Sequence, residues 1–210
     1  MKRIAAWTLG MVCALWCAPR PVLAQVIEFE SNGLKYQTLT RSGVTVMFAQ
    51  LPSNLKGYTV LQVAVSNGSR YLYTVDPEDF AWQRQDGTVE KAIPARQVVR
   101  RMLDKANRDD VIKLVGTYEV GLYGLQRMQS TNGYEQRRQS AIGEFGQARL
   151  KAAAAASAIA FVRSKLQAGE STDGAIFFLT DRKGLGPGRL VVRFGGETFE
   201  FDPVTIGTLN

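Results

Sequence analysis

The side chains in this sequence that could do chemistry are carboxylates, and few are spaced to do it. Histidine is absent from all 210 residues, which removes the commonest general base and the commonest metal ligand together. The only cysteines, Cys13 and Cys17, lie in an apolar N-terminal stretch, so the rest of the chain has no thiolate nucleophile, disulfide or Cys-ligated metal. Glu119 with Glu135, or Asp109 with Asp110, could act as acid and base in glycoside hydrolysis, which needs two carboxyl groups roughly 5–10 Å apart in a cleft. Nothing in their spacing marks a cleft: Asp109, Asp110 and Glu135 stand where helix caps are expected, and Glu119 on a solvated helix face. The acidic run Asp76-Pro77-Glu78-Asp79 lacks the alternating carboxylates and the glycine of a calcium loop. Gly184-Leu185-Gly186-Pro187-Gly188 lies between two strand patterns, where a hairpin loop is expected rather than a phosphate cradle. The expectation is a protein that is not an enzyme and uses no cofactor or metal.

Binding chemistry is better represented. Arg96, Arg100, Arg101, Lys105 and Arg108 spread over one side of a helical pattern whose other side carries Val98, Val99, Met102, Leu103 and Ala106. Arginine forks suit carboxylate or phosphate partners, so this face could meet an anionic lipid or wall polymer. The same face also reads as an ordinary solvated helix surface, with Lys105 and Arg108 favoured near the C-terminus by the helix dipole. In the polar stretch 130–138, Asn132 and Glu135 suit a capping box, which leaves Tyr134, Arg137 and Arg138 without a structural duty. Tyr and Arg are enriched at interface hot spots, so these three join the candidate contact residues.

The elements that must position these residues begin after a targeting segment. Lys2 and Arg3 precede an uncharged apolar run from Ile4 to Ala18, and Val22-Leu23-Ala24 matches the small-residue pattern a signal peptidase reads, which predicts cleavage before Gln25. Pro19 and Pro21 would break a span that needs about 20 residues, though a retained anchor is the alternative. The bulky Trp16 argues against a lipid anchor on Cys17. Loss of Lys2, Arg3 and Arg20 would lower the formal charge from +7 to +4, which weakens the case for a polyanionic partner. Nucleic acid is not expected as a partner, and the expected location is the periplasm or the medium.

Strand patterns dominate the chain on both sides of the helical stretch. Between Val26 and Pro52 two strands are expected, Tyr36 to Thr40 and one lined by Val44, Val46 and Phe48, joined at Ser42-Gly43. Leu61, Val63 and Val65 alternate with Gln62, Ala64 and Ser66, the pattern of a strand with one buried face, and stop at Asn67-Gly68-Ser69. Tyr71, Tyr73 and Val75 repeat the alternation up to Asp76-Pro77, and Phe80 to Gln85 closes at Asp86-Gly87, a hairpin signal. This order, from Leu61 to Gly87, resembles secreted bacterial immunoglobulin-like domains of unknown function. The resemblance extends more loosely over 168–201 and leaves out 93–167. It implies that these are the middle strands of a sandwich, and that the module serves binding or structure rather than catalysis.

Five strands are too few for an immunoglobulin-type sandwich, which wants roughly seven, so the C-terminal part must supply the others. Gly174 to Thr180, then Leu190, Val192 and Phe194, then Phe199 and Phe201 provide them. Gly195-Gly196 suits a two-residue type I′ turn, so facing residues should sum to 391: Val192 against Phe199, Leu190 against Phe201, Arg189 against Asp202. Between the blocks, Pro94 opens a first helix, Asp109 or Asp110 a second weakened by Gly116, Gly121 and Gly124, and Asn132 a third helical segment that runs to Gly169, with Gly143 and Gly146 as points where it could break in two. The alanine-rich run 151–160 should pack closely against those glycines. The expected architecture is therefore mainly β with an α insertion, an immunoglobulin-like antiparallel β-sandwich interrupted by helices. It comprises a signal peptide (1–24), first strands (25–92), the helical insertion (93–168) and closing strands (169–210). The expected partner is another cell-envelope protein, contacted through the insertion or an edge strand.

Overall fold

Three two-residue turns have both central residues at positive φ, Asn32-Gly33 (51°, 75°), Ser42-Gly43 (50°, 79°) and Gly195-Gly196 (58°, 79°). That is the type I′ geometry, whose twist matches that of the strands it joins. A computed structural model describes residues 25–52, 57–105, 113, 115–120, 133, 156–180 and 184–206. Its strands are β1 (Ile27–Ser31), β2 (Leu34–Arg41), β3 (Val44–Gln50), β4 (Tyr58–Asn67), β5 (Tyr73–Val75), β6 (Phe80–Arg84), β7 (Val89–Lys91), β8 (Ser164–Leu166), β9 (Ser171–Leu179), β10 (Gly186–Phe194), β11 (Glu197–Glu200) and β12 (Val204–Ile206). Helix α1 is Ala95–Lys105, and residues 115–120 and 156–159 are also helical. The chain is mainly β.

Two antiparallel sheets face each other. The first has the order β1-β2-β3-β4-β9; the second is β11-β10-β6-β7, with β12 also on β10; β5 and β8 form a separate pair. In an immunoglobulin constant-type domain one sheet holds strands A, B, E and D. Here four consecutive strands meander in one sheet, and the chain crosses to the other only after β4. Three strands lie within the segment expected to hold two, because β1 precedes the Asn32-Gly33 turn. The Asp86-Gly87 hairpin forms, with β7 as its second arm. The glycine-rich segment around Gly186 is not a hairpin loop: β9 pairs with β4 and β10 with β6, so this connection passes between the sheets.

The 391 register holds from Phe194↔Glu197 to Val191↔Glu200, and Phe201 N–H donates to Leu190 O at 3.1 Å. Farther along, Gly188 faces Val204 and Gly186 faces Ile206, so one extra residue is taken up between β11 and β12. This bulge falls beside Pro203, which has no N–H for the ladder. It is why Arg189 does not meet Asp202; the guanidinium instead reaches Glu200 at 3.4 Å.

Between the sheets, Val46, Phe48, Leu61, Val63 and Phe178 meet Phe80, Trp82, Leu190, Val192 and Phe201, all buried. Phe48 and Phe201 touch edge to face across the gap, with ring centroids 4.9 Å apart. The first sheet is covered on its other face too. Tyr36, Met47, Ala49, Ala64 and Phe177 share a second apolar cluster with Val98, Tyr118, Ala156 and Ile159. Thus β4 is buried on both sides, and the expectation that Gln62 and Ala64 face solvent is corrected by the helical residues above them. Ala156, Ala158 and Ala160 join that cluster, so the alanine run meets the sheet; Gly116 is exposed, and Gly121 and Gly124 lie outside the described residues. The third helix does not reach Gly169, because helix ends by Ile159 and β8 pairs with β5 instead. Tyr71, expected in a strand, is exposed ahead of β5.

Candidate functional site

The free edge of the first sheet is β1. Its opposite edge, β9, is capped: Ile93 N–H donates to Phe177 O and Phe161 N–H to Ala175 O, both at 2.8 Å. No strand among the described residues pairs with the outer side of β1, which is exposed along most of its length. In a two-residue hairpin the closing pair is hydrogen-bonded, and bonded and non-bonded pairs then alternate. Ser31↔Leu34, Phe29↔Tyr36 and Ile27↔Thr38 are therefore the bonded pairs, and the N–H and C=O of Glu28 and Glu30 point away from β2.

Side chains alternate as well. Ile27 and Phe29 lie on the helix-covered side, 60% and 38% exposed, and Phe29 stacks on Tyr36 with centroids 5.1 Å apart. Glu28 and Glu30 lie on the side that faces the second sheet, opposite Gln37 and Lys35. There they border an open cleft of ≈ 500 Å³, which Lys35, Gln37, Gln50 and Phe48 also line, with Val204 of β12 as the contribution of the second sheet among the described residues. Gln37 Nε2 donates to Glu28 Oε1 at 2.7 Å, while the buried Gln37 Oε1 has no partner among the described residues.

Beneath Phe29, burial pushes the Tyr36 phenol up to about 12, and its hydroxyl donates to Gln62 Oε1 at 3.1 Å. Buried Tyr118 donates to Asp173 on β9, which joins a helical residue to the outer face of the first sheet. Asn32 Nδ2 donates to Val120 O at 2.9 Å, so the turn after β1 is tied to the same helical residues.

The basic side chains singled out from sequence are partly described. On α1, Val98 is fully buried while Arg96, Arg100 and Arg101 are exposed, without a hydrogen bond or ion pair among the described residues. Lys105 closes α1, but its side chain lies outside the described residues, as do Arg108, Tyr134, Arg137 and Arg138. The structure therefore brings three of the eight candidates to one surface.

The carboxylates considered for catalysis divide similarly. Glu119 is half-buried and engaged, whereas Asp109, Asp110 and Glu135 lie outside the described residues. The acidic run 76–79 is a capped 3-10 turn: Asp79 accepts from Asp76 N–H at 2.7 Å, and Asp76 pairs with Arg163 at 2.7 Å. Burial pushes the Asp79 carboxyl up, against the lowering effect of that backbone bond, and the Asp76 carboxylate holds the Arg163 guanidinium above its usual value. Among the described residues no group of three or more metal-ligating side chains comes together, and no helix is long and apolar enough to cross a membrane.

β1 lies outside the strands expected from the sequence. The signal was present: Ile27 and Phe29 alternate with Glu28 and Glu30 directly before Asn32-Gly33, a strong hairpin pattern.

No known protein family and no curated protein matches the chain. Among solved structures, the crystal structure of the yjhA protein from Bacillus subtilis aligns over 79% of this chain and 76% of that one, at 9% identity and a TM-score of 0.31. That score is too low for the likeness to carry an argument.

Proposed function

We propose that the protein is an exported, non-catalytic binding module of the cell envelope, whose two-sheet scaffold presents β1 to an extended segment of a partner protein. The resemblance to immunoglobulin-like domains bears on this reading through layer architecture, two antiparallel sheets packed face to face, and through the use of such modules in binding. One observation carries it: β1 is a terminal, exposed strand whose Glu28 and Glu30 backbone groups are turned outward. An edge of that kind accepts an added strand, with main-chain bonds supplying affinity.

The test exploits the direction of those groups. Proline at position 30 removes an outward N–H and leaves the β1–β2 bonds in place, a substitution that edge strands tolerate. A photo-crosslinker at Phe29 should capture one defined envelope protein, at low and at high salt, and Glu30→Pro should abolish the capture with the fold intact by circular dichroism. Capture unchanged by Glu30→Pro would refute strand addition at β1.

A second reading rests on Arg96, Arg100 and Arg101, exposed and unpaired among the described residues: α1 binds an anionic lipid or wall polymer. Exposed charges are screened by salt. Co-sedimentation with anionic vesicles that disappears at high salt, and in the triple Arg→Gln variant, would move the function to α1; no sedimentation at low salt would remove it.

A further inference from the structure

Resting on the edge-strand reading, we infer that the segment received by β1 carries two basic residues, two positions apart, with an apolar residue between them. A strand added to β1 bonds through the backbone of Glu28 and Glu30, so two of its residues stand directly opposite these carboxylates, with side chains on the same face. Opposite charges facing each other across strands attract, and like charges repel. The residue between the two emerges on the other face, beside exposed Ile27 and Phe29, where an apolar side chain would bury surface. A long basic side chain also suits the Glu28 end of the open cleft of ≈ 500 Å³ that both glutamates border, whereas Lys35 lines the cleft opposite Glu30.

The acidic edge is unusual for this chain, whose formal charge is +7. It also acts against the simplest competing occupant, a second copy. Antiparallel pairing of β1 with itself in the fully overlapping register sets Glu28 against Glu30 twice, and the registers one pair to either side set Glu28 against Glu28 or Glu30 against Glu30. The same two side chains thus select a basic segment and reject self-pairing.

Two blocked peptides of equal length test this, one alternating Lys with Val and the other Glu with Val. Binding is followed by fluorescence anisotropy and site by amide hydrogen exchange at Glu28 and Glu30. The Lys peptide should bind about tenfold tighter than the Glu peptide and protect both amides. Glu28→Lys with Glu30→Lys should invert the preference, and the milder Glu28→Gln with Glu30→Gln should erase it should the reversal not fold. Equal protection by both peptides would overturn the charge selection and leave the edge-strand reading intact. Protection of those amides by neither peptide would overturn the edge reading itself. Binding of the Lys peptide without protection at β1 would place the attraction elsewhere and overturn the inference.

Discussion

Asn67 at the end of β4 is fully buried, and its Nδ2 donates to the carbonyls of Tyr71 (2.6 Å), Leu166 (2.9 Å) and Gln167 (3.1 Å). Its Oδ1 accepts from Ser69 N–H and Oγ, at 3.0 and 2.7 Å. One side chain thus satisfies the irregular backbone between β4, β5 and β8. Asn67→Ala should cost about 3 kcal/mol by urea denaturation, because several buried backbone groups lose their partner at once; a loss within experimental error would show that the loops close without it. Tyr36 makes a prediction at the same scale. Its phenol ionises near 12 in the folded chain against 10.0 ordinarily, so between about pH 10 and 12 the unfolded chain releases a proton that the folded chain keeps. Stability contributed by this group is constant below pH 10 and falls through that window. Tyr36→Phe should flatten that part of the stability–pH curve, and an unchanged slope would assign it to other groups. These residues read from sequence only as turn and strand members; which buried partner each meets depends on segments about a hundred residues away in the case of Asn67.

At the scale of elements, local grammar was legible wherever a strand and its turn are neighbours in the chain. The 391 register is an example, since Gly195-Gly196 and the alternation of Val192, Phe194 and Phe199 are contiguous information. Beyond Phe201 the ladder departs from that register, because a bulge at the β11–β12 junction shifts it by one residue. The stretch from Ala160 to Leu166 departs from the expected helix as well, where an alanine-rich run with high helix propensity passes into Phe161, which caps β9, and then β8. Gly174 makes that capping possible: a Cβ there would stand 2.5 Å from Phe161 Cα and 2.8 Å from its nitrogen. Gly174→Ala should therefore destabilise by about 2 kcal/mol through overpacking and raise amide exchange at Phe161. Retained stability would mean that Phe161 can move off β9 without penalty.

For the whole molecule, the first sheet is, among the described residues, closed along β9 and open along β1. A long open edge is a route to aggregation unless charge or shape blocks it. Glu28 and Glu30 are the charges on β1 itself, so Glu28→Thr with Glu30→Val should shift the protein to a larger species than the unaltered chain forms in sedimentation velocity runs. The single Arg101→Gln change on α1 should leave that behaviour alone. A double variant that sediments as the unaltered chain does would mean that the edge is guarded by something other than these carboxylates.

By itself, the sequence determined that the protein is mainly β, where several turns fall, the pairing of β10 with β11, and the absence of histidine and of cysteine beyond position 17. Those are consequences of composition and of contacts between near neighbours, which short patterns encode. Only the tertiary structure decided that β4 is buried on both faces, that β9 and β10 belong to different sheets, and that β1 is the open edge among the described residues. Each of these depends on which distant segment covers a strand, and alternation along one strand records that one of its faces is apolar without recording what lies against the other.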